Sequence, residues 1–149
     1  MKLTLKKLDS LCEKPCTEGR DWFTSQKETD LEKICMTLLD EGRSSWVEWL
    51  LARVLNKKQR IEWAIYAAEL VIDIYEKQYP GDKRPREAIR AAKKYLKSPT
   101  KKNKDAAYAA TNATYAANAA AYAANAAANA AAQKEIQIKL IKKAMRILK

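Results

Sequence analysis

The residue types that usually carry catalysis are sparse in this sequence. Glu69 and Asp73 are four residues apart in a helical pattern, so two carboxylates one turn apart could act as a general acid and base. The alternative interpretation is a solvated helix edge. The chain has no histidine, which removes the usual general base and any Ser-His or Cys-His nucleophile arrangement. We therefore expect a protein that is not an enzyme.

The cysteines do not form a recognisable metal site. Cys12, Cys16 and Cys35 contain no CxxC pair, and without histidine they cannot supply the four nitrogen or sulfur ligands of a zinc site. We expect neither a metal nor a cofactor. An odd set of free thiols suits a reducing compartment, so the sequence predicts a cytoplasmic protein.

The chain is organised around an alanine-rich run from Asp105 to Gln133, which contains no glycine or proline. Alanine has the highest helix propensity of all residues, so the run predicts one long helix. Tyrosines recur in it every seven residues, and a small polar residue follows each tyrosine by three. The repeated residues are Tyr108, Tyr115 and Tyr122, followed by Thr111, Asn118 and Asn125.

This Tyr/Asn ladder occupies the positions that Leu or Ile would fill in an ordinary coiled coil. The methyl faces beside it allow close approach of neighbouring helices, either within one chain or between the two chains of a homodimer. We expect the ladder to meet a polar groove or a binding partner. The alternative is that the tyrosines fill gaps in the core while the asparagines are solvated.

A second candidate surface is basic. The segment from Gly81 to Leu96 predicts a helix with Pro85 in its first turn and an apolar stripe along one side. Its other positions are rich in cations, which could contact an acidic protein or phosphates, or form an ordinary solvated face. These cations are Arg84, Arg86, Arg90, Lys93, Lys94 and Lys97. The whole chain is also basic, with 29 Lys and Arg against 18 Asp and Glu.

The remaining patterns predict further helices. A short amphipathic helix begins after Thr4. Residues 16–26 predict a loop or single turn in which Trp22 and Phe23 plug one end of the core, and the alternative is an exposed aromatic anchor. A helix ends at Gly42, and two capping boxes, Ser45 with Glu48 and Asn56 with Gln59, begin the next two helices. The sequence thus predicts an all-α, single-domain helical bundle over residues 1–149, with amphipathic helices in 1–98 packed around a long Ala-rich helix in 100–149.

Membrane and secretory segments are not expected. The alanine-rich run is too weakly hydrophobic and too rich in Asn and Tyr to span a bilayer. The opening MKLTLKKLDSL carries charges through its apolar positions and lacks the continuous apolar core of a secretory signal. The basic amphipathic pattern after Gln133 is best explained by a helix that closes the core over the first helix.

The order of several segments resembles an immunity protein family of bacteria and their phages, whose members are small Ala/Tyr-rich helical proteins. The resemblance covers nearly the whole chain and rests chiefly on SSWVEWLLARVL and DKRPREAIRAA, supported by LTLKKLDSLC, CTEGRDW and QKEIQIKLIKKAMRIL. It implies a non-catalytic protein that neutralises a toxin or defence effector by direct contact. The alanine-rich run is richer in Asn than is usual for the family.

We expect the Tyr/Asn ladder and the basic helix face to bind this protein target. With a net charge of +11, the chain cannot imitate nucleic acid, so its target would either be acidic itself or be recognised elsewhere than at a nucleic-acid cleft. The alternative hypothesis is a basic nucleic-acid-binding protein that binds phosphates and stacks tyrosines on bases. One variant of this hypothesis is a phage inhibitor of a host nucleoprotein defence complex.

Overall fold

The protein is all-α, as the sequence predicts. A computed structural model describes residues 1–11, 13–105 and 130–149. Within them the helices are α1 (Leu5–Asp9), α2 (Thr17–Ser25), α3 (Leu31–Asp40), α4 (Ser44–Val54), α5 (Lys57–Gln78), α6 (Arg84–Lys97) and α7 (Ala130–Ile147). Residues 101–105 are also helical. Cys12 and most of the predicted Ala-rich helix, including the whole Tyr/Asn ladder, lie outside the described residues.

The chain divides into two compact units. The first unit comprises Met1–Gln59 together with Gln137–Lys149, and the second comprises Arg60–Ile136. The N-terminal part of α7 therefore belongs to the second unit and its C-terminal part to the first. The single domain inferred from the sequence remains a prediction.

The first unit is built on a core of aliphatic side chains. Its most deeply buried residues come from the N-terminal segment, from α3, from α4 and the residue that follows it, and from α7. They are Leu3, Leu31, Ile34, Cys35, Val47, Leu51, Leu55 and Ile141. The wide apolar pattern of α4 explains its contribution, because Val47, Leu50 and Leu51 are all buried. On α7 the buried polar side chain Gln137 donates a hydrogen bond from Nε2 to Glu48 Oε1 at 3.2 Å.

The first two helices each begin with a side chain that accepts a hydrogen bond from a first-turn amide. Thr4 caps α1 as predicted, because its Oγ1 accepts the Lys7 N–H at 3.2 Å. The loop or single turn predicted for residues 16–26 is wrong, since Thr17–Ser25 forms a helix of 9 residues. Cys16 caps it through a 3.4 Å hydrogen bond from the Gly19 N–H to Sγ. The sequence did not reveal this start because a thiol is not among the usual capping groups.

The turn between α3 and α4 sets how α4 begins. Gly42 has φ +76°, and its N–H donates to the Leu39 carbonyl oxygen at 3.1 Å. The next N–H, of Arg43, donates to the Leu38 carbonyl oxygen at 2.8 Å, which completes a Schellman motif. Helix α4 follows at once from Ser44, and its N-cap makes no side-chain hydrogen bond.

The capping box predicted at Ser45 and Glu48 is therefore wrong. Because α4 has already begun at Ser44, Ser45 lies inside the helix and cannot occupy the cap position. The Glu48 carboxylate does not reach back to the helix start. It accepts the hydrogen bond from Gln137 instead.

The capping box that opens α5 is confirmed. The Gln59 N–H donates to Asn56 Oδ1 at 3.0 Å, and the Asn56 N–H donates to Gln59 Oε1 at 2.9 Å. The Gln59 amide nitrogen also donates to the Ile147 carbonyl oxygen at 2.9 Å, so the same side chain fixes the end of α7.

Replacing this cap should destabilise the protein measurably. Asn56→Ala leaves an amide of the first turn without its acceptor, and we expect a loss of about 1 kcal/mol in the free energy of unfolding. Urea denaturation followed by circular dichroism measures it. Lys57→Ala is the control, because Lys57 is exposed and follows the cap directly. Equal stability of the two variants would contradict the capping role.

The second unit packs α5 against α6 through a small apolar cluster. Ile65, Ala68 and Ile72 of α5 and Ile89 of α6 are buried together. Partly buried apolar side chains extend the cluster along both helices: Ile61, Ala92 and Leu96. This contact turns the opposite side of α6, which carries most of its cations, away from the core.

Candidate partner-binding surface

Helix α6 separates its apolar and basic sides. Its buried residues are Pro85, Ala88 and Ile89, and Pro85 stands in the first turn as predicted. At about 100° per residue, most of the cations lie on the other side of the helix, so one element serves both the core and the surface. The four cations predicted to bind a partner, Arg84, Arg86, Arg90 and Lys94, all lie on α6.

Arg86 is engaged by carboxylates of α5. Its Nε and Nη2 donate to Glu76 at 2.5 and 2.7 Å, and Nη2 also reaches Asp73 at 3.0 Å. The hydrogen bond from Arg86 lowers the pKa of Glu76 below its ordinary value, and the same bond raises the pKa of Arg86. Bidentate pairing of this kind fixes the guanidinium geometry, so Arg86 ties α6 to α5.

The carboxylates considered for catalysis form part of the same contact. Lys93 of α6 pairs with Glu69, and Arg86 pairs with Asp73. Each member of the Glu69 and Asp73 pair thus has its own cation from the facing helix. A groove of about 410 Å³ runs along this contact and is lined by both ion pairs together with Arg90.

Asp82 organises the turn before α6, a role that the sequence patterns did not reveal. Its carboxylate accepts hydrogen bonds from the Arg84 N–H at 3.0 Å, from Arg84 Nε and Nη2 at 2.9 and 2.7 Å, and from the Tyr75 hydroxyl at 2.8 Å. These bonds, chiefly those from the Arg84 side chain, hold the pKa of Asp82 far below its ordinary value. The sequence signal that could have revealed this role is an aspartate two residues before the start of α6.

The ion pairs of Asp82 and Glu76 predict that the protein becomes less stable in acid. The pKa values of Asp82 and Glu76 are lowered from ordinary values of 3.8 and 4.5. A lowered folded-state pKa contributes stability above the ordinary value, and the contribution is lost as the pH falls through the folded-state pKa. We expect a constant denaturation midpoint from about pH 7 to about pH 5, then a decline from about pH 4.5 downward.

The variant Asp82→Asn tests the assignment. It should be less stable than the wild type at neutral pH, and its acid decline should be shallower, so that the difference between the two stability curves shrinks as the pH falls below about 4. Urea midpoints measured across this range give both curves. Curves that remained parallel would show that Asp82 does not contribute through its charge.

Three cations of α6 remain without a carboxylate partner in the part of the chain that the structure describes. Arg90, Lys94 and Lys97 are exposed, and their spacing places them on one side of the helix, within an arc of about 60° around its axis. We call these three residues the cationic stripe. The exposed Lys101 and Lys102 follow it in sequence. Arg84 and Arg86, by contrast, are held by acidic side chains.

The other predicted partner-binding residues cannot be placed relative to the stripe. Tyr108, Tyr115, Tyr122, Asn118 and Asn125 all lie outside the described residues, so their role remains a prediction. Across residues 1–11, 13–105 and 130–149, no group of three or more Cys, Asp or Glu side chains is arranged to hold a metal ion. No helix in those ranges is long and apolar enough to cross a membrane.

Comparison with known proteins adds one relationship. A family model described as a family of unknown function matches residues 34–136, which is more than half of the chain. The protein belongs to family DUF6931. The DUF6931 match begins inside α3 and includes all of α4, α5 and α6, so the cationic stripe and the ion pairs beneath it lie within the family region. No curated protein and no solved structure matches the chain.

Proposed function

We propose that this protein is a cytoplasmic, non-catalytic inhibitory binding protein of the immunity type. It neutralises a toxin or defence effector by direct protein-protein contact, and the cationic stripe meets an acidic surface of that target. The observation that carries the proposal is the contrast on α6 between cations held by α5 or Asp82 and the three cations of the stripe.

The contrast matters because a cation that already has a partner must give it up before it can bind another. Arg86 would lose three hydrogen bonds to Glu76 and Asp73. Arg90, Lys94 and Lys97 have no ion pair to break in the part of the chain that the structure describes, although the charge of Arg90 helps to lower the pKa of Glu76. Complementary charges on a target therefore favour association at a smaller cost for these three residues than for Arg86. Their positive field also raises the association rate with an acidic partner, and salt reduces the effect.

The chemistry of the remaining groups supports a binding role. The carboxylates Glu69 and Asp73 are already paired with cations of α6, which favours a structural role for both. Cys16 is exposed and Cys35 is buried, and both are free thiols, which supports a reducing compartment. Burial raises the pKa of Cys35 to about 12, so this thiol is not a nucleophile at neutral pH.

Nucleic acid is the alternative partner, because phosphates would also attract the stripe. Proteins that bind duplex DNA through its backbone can neutralise about 6 to 10 phosphates. The stripe offers three cations over roughly 10 Å of helix, which better suits a compact acidic patch on a protein.

A capture experiment separates the two. The full-length protein on beads is exposed to a bacterial lysate, with and without nuclease, at low and at high salt. The proposal predicts one discrete protein that survives nuclease treatment, binds in a fixed ratio, and loses its activity when bound. Recovery of nucleic acid alone, released at high salt, would overturn the proposal.

A further inference from the structure

The first unit contains a pocket that plays no part in the proposed contact. It lies among α1, α2, α3 and α4 and has a volume of about 320 Å³. Its walls are almost entirely apolar, with the three tryptophans of this unit and Phe23 among them. Pockets of about 300 to 1,000 Å³ with such walls are typical small-molecule sites.

The aromatic walls favour a flat ligand. The Trp22 and Trp46 rings meet edge to face, with centroids 6.4 Å apart and planes at 82°. Trp49 lies one turn after Trp46 on the same helix and also lines the pocket. Rings that present both faces and edges at one site can contact an aromatic guest in stacked and T-shaped arrangements.

The charges beside the pocket are already paired. The Arg43 guanidinium stacks 4.2 Å from the Trp46 ring centroid and forms ion pairs with Glu18 and Glu41. The Trp22 Nε1–H donates to the same Glu41 carboxylate at 2.7 Å. Each of these groups already has an oppositely charged partner, and together Arg43, Glu18 and Glu41 carry one net negative charge, so an anionic guest would lose hydration without gaining a partner.

A second guanidinium stacks on another tryptophan of the wall, and it is also paired, although its buried Nε has no hydrogen-bond partner among the described residues. Arg53 stacks 4.6 Å from the Trp49 ring centroid and pairs with Glu13. Its Nη1 donates to the Trp49 carbonyl oxygen at 3.2 Å. Both guanidinium groups therefore contact indole rings of the wall, but neither arginine lines the pocket.

We propose that this pocket binds a small, uncharged aromatic molecule of about two to three rings. The size follows from the volume, the aromatic character from the indole and phenyl walls, and the absence of charge from the paired groups at its edge. The Ser45 hydroxyl and the Cys16 thiol are the polar side chains in the wall. The ligand therefore carries few hydrogen-bonding groups.

The test uses N-phenyl-1-naphthylamine, a neutral fluorescent probe of this size, with the full-length protein. We expect binding of one probe per chain, seen as energy transfer from the pocket tryptophans to the probe. Its sulfonated analogue 8-anilinonaphthalene-1-sulfonate should bind the pocket about tenfold more weakly at high salt, where surface cations are screened. Absence of saturable binding of the neutral probe would overturn the proposal.

A matched pair of variants locates the site. Ser45 is exposed and lines the pocket, whereas its neighbour Ser44 does not line it. Ser45→Phe places a ring in the space that the probe needs, so we expect about tenfold weaker binding, while Ser44→Phe should bind as the wild type does. Equal binding by both variants would overturn the assignment to this pocket.

A measurement on the wild type avoids dependence on how Ser45→Phe folds. Cys16 lines the pocket and its thiol is exposed, so alkylation at this residue can be followed by peptide mass spectrometry. Saturating probe should slow alkylation of Cys16 about tenfold, because the bound rings cover the sulfur. An unchanged rate at saturating probe would overturn the proposal, whatever the variants do.

Discussion

Reversing the charges of the cationic stripe, in the triple variant Arg90→Glu, Lys94→Glu and Lys97→Glu, is expected to weaken binding of the protein target about 100-fold. By the usual conversion this is a loss of about 3 kcal/mol in binding free energy. The three side chains are exposed, so the variant should fold normally. Each new carboxylate would face the acidic surface that the cation attracts, and like-charge contacts at an interface are strongly unfavourable.

The control changes the net charge by the same amount elsewhere. Lys27, Lys57 and Lys58 are exposed residues of the first unit, and the variant with glutamate at all three should retain binding within a few-fold. Affinity is measured by surface plasmon resonance against the captured protein at several salt concentrations. If both variants lost affinity equally, the effect would belong to the overall charge of the chain and not to the stripe.

Removing the Leu51 side chain should have the largest effect on stability. Leu51 has no solvent exposure, and it belongs to the α4 surface that also buries Val47 and Leu50. Leu51→Ala removes buried methyl groups and leaves a cavity that the surrounding helices fill only in part. We expect a loss of about 3 kcal/mol in the free energy of unfolding.

Urea denaturation of the full-length protein measures this loss. Ile74→Ala is the control, because Ile74 is an apolar side chain with 37% exposure and should lose less than about 0.5 kcal/mol. If the two substitutions were equally destabilising, Leu51 would not occupy the centre of a packed core. Circular dichroism of both variants checks that the helices are retained before denaturation.

Features of the fold that depend on local sequence could be predicted. The Asn56 and Gln59 box was found because each side chain bonds a backbone amide only three residues away. Gly42 was found because a left-handed residue commonly ends a helix. Helix α3 buries one face, and its buried residues follow the three- and four-residue spacing of an amphipathic helix: Leu31, Ile34, Cys35, Leu38 and Leu39.

Two helix starts were predicted wrongly, one because two local patterns compete and the other because an unusual side chain caps the helix. The box at Ser45 and Glu48 matched the pattern, but the Schellman turn through Arg43 had already started the helix. Residues 16–26 lacked a conventional cap, and Cys16 supplied one through its sulfur. Neither outcome is visible in the residue types alone.

The candidate site was predictable only in outline. The sequence identified the basic side of α6, but not which cations the facing helix would engage. Pairing of Arg86 with Glu76 depends on how α5 and α6 pack, because the partners are ten residues apart and on different helices. The apolar pocket was not predicted at all, since its walls come from four separate helices. The Tyr/Asn ladder remains a prediction.

The proposed activity of this protein is inhibition of its target by stoichiometric contact through the cationic stripe. The most direct measurement is a titration of the captured protein's activity, or of its toxicity to growing cells, with increasing amounts of the wild type and of the stripe variant. We expect full inhibition by the wild type at a fixed molar ratio, and none by the stripe variant at that ratio. Equal inhibition by the stripe variant, or activity unaffected by saturating wild type, would contradict it.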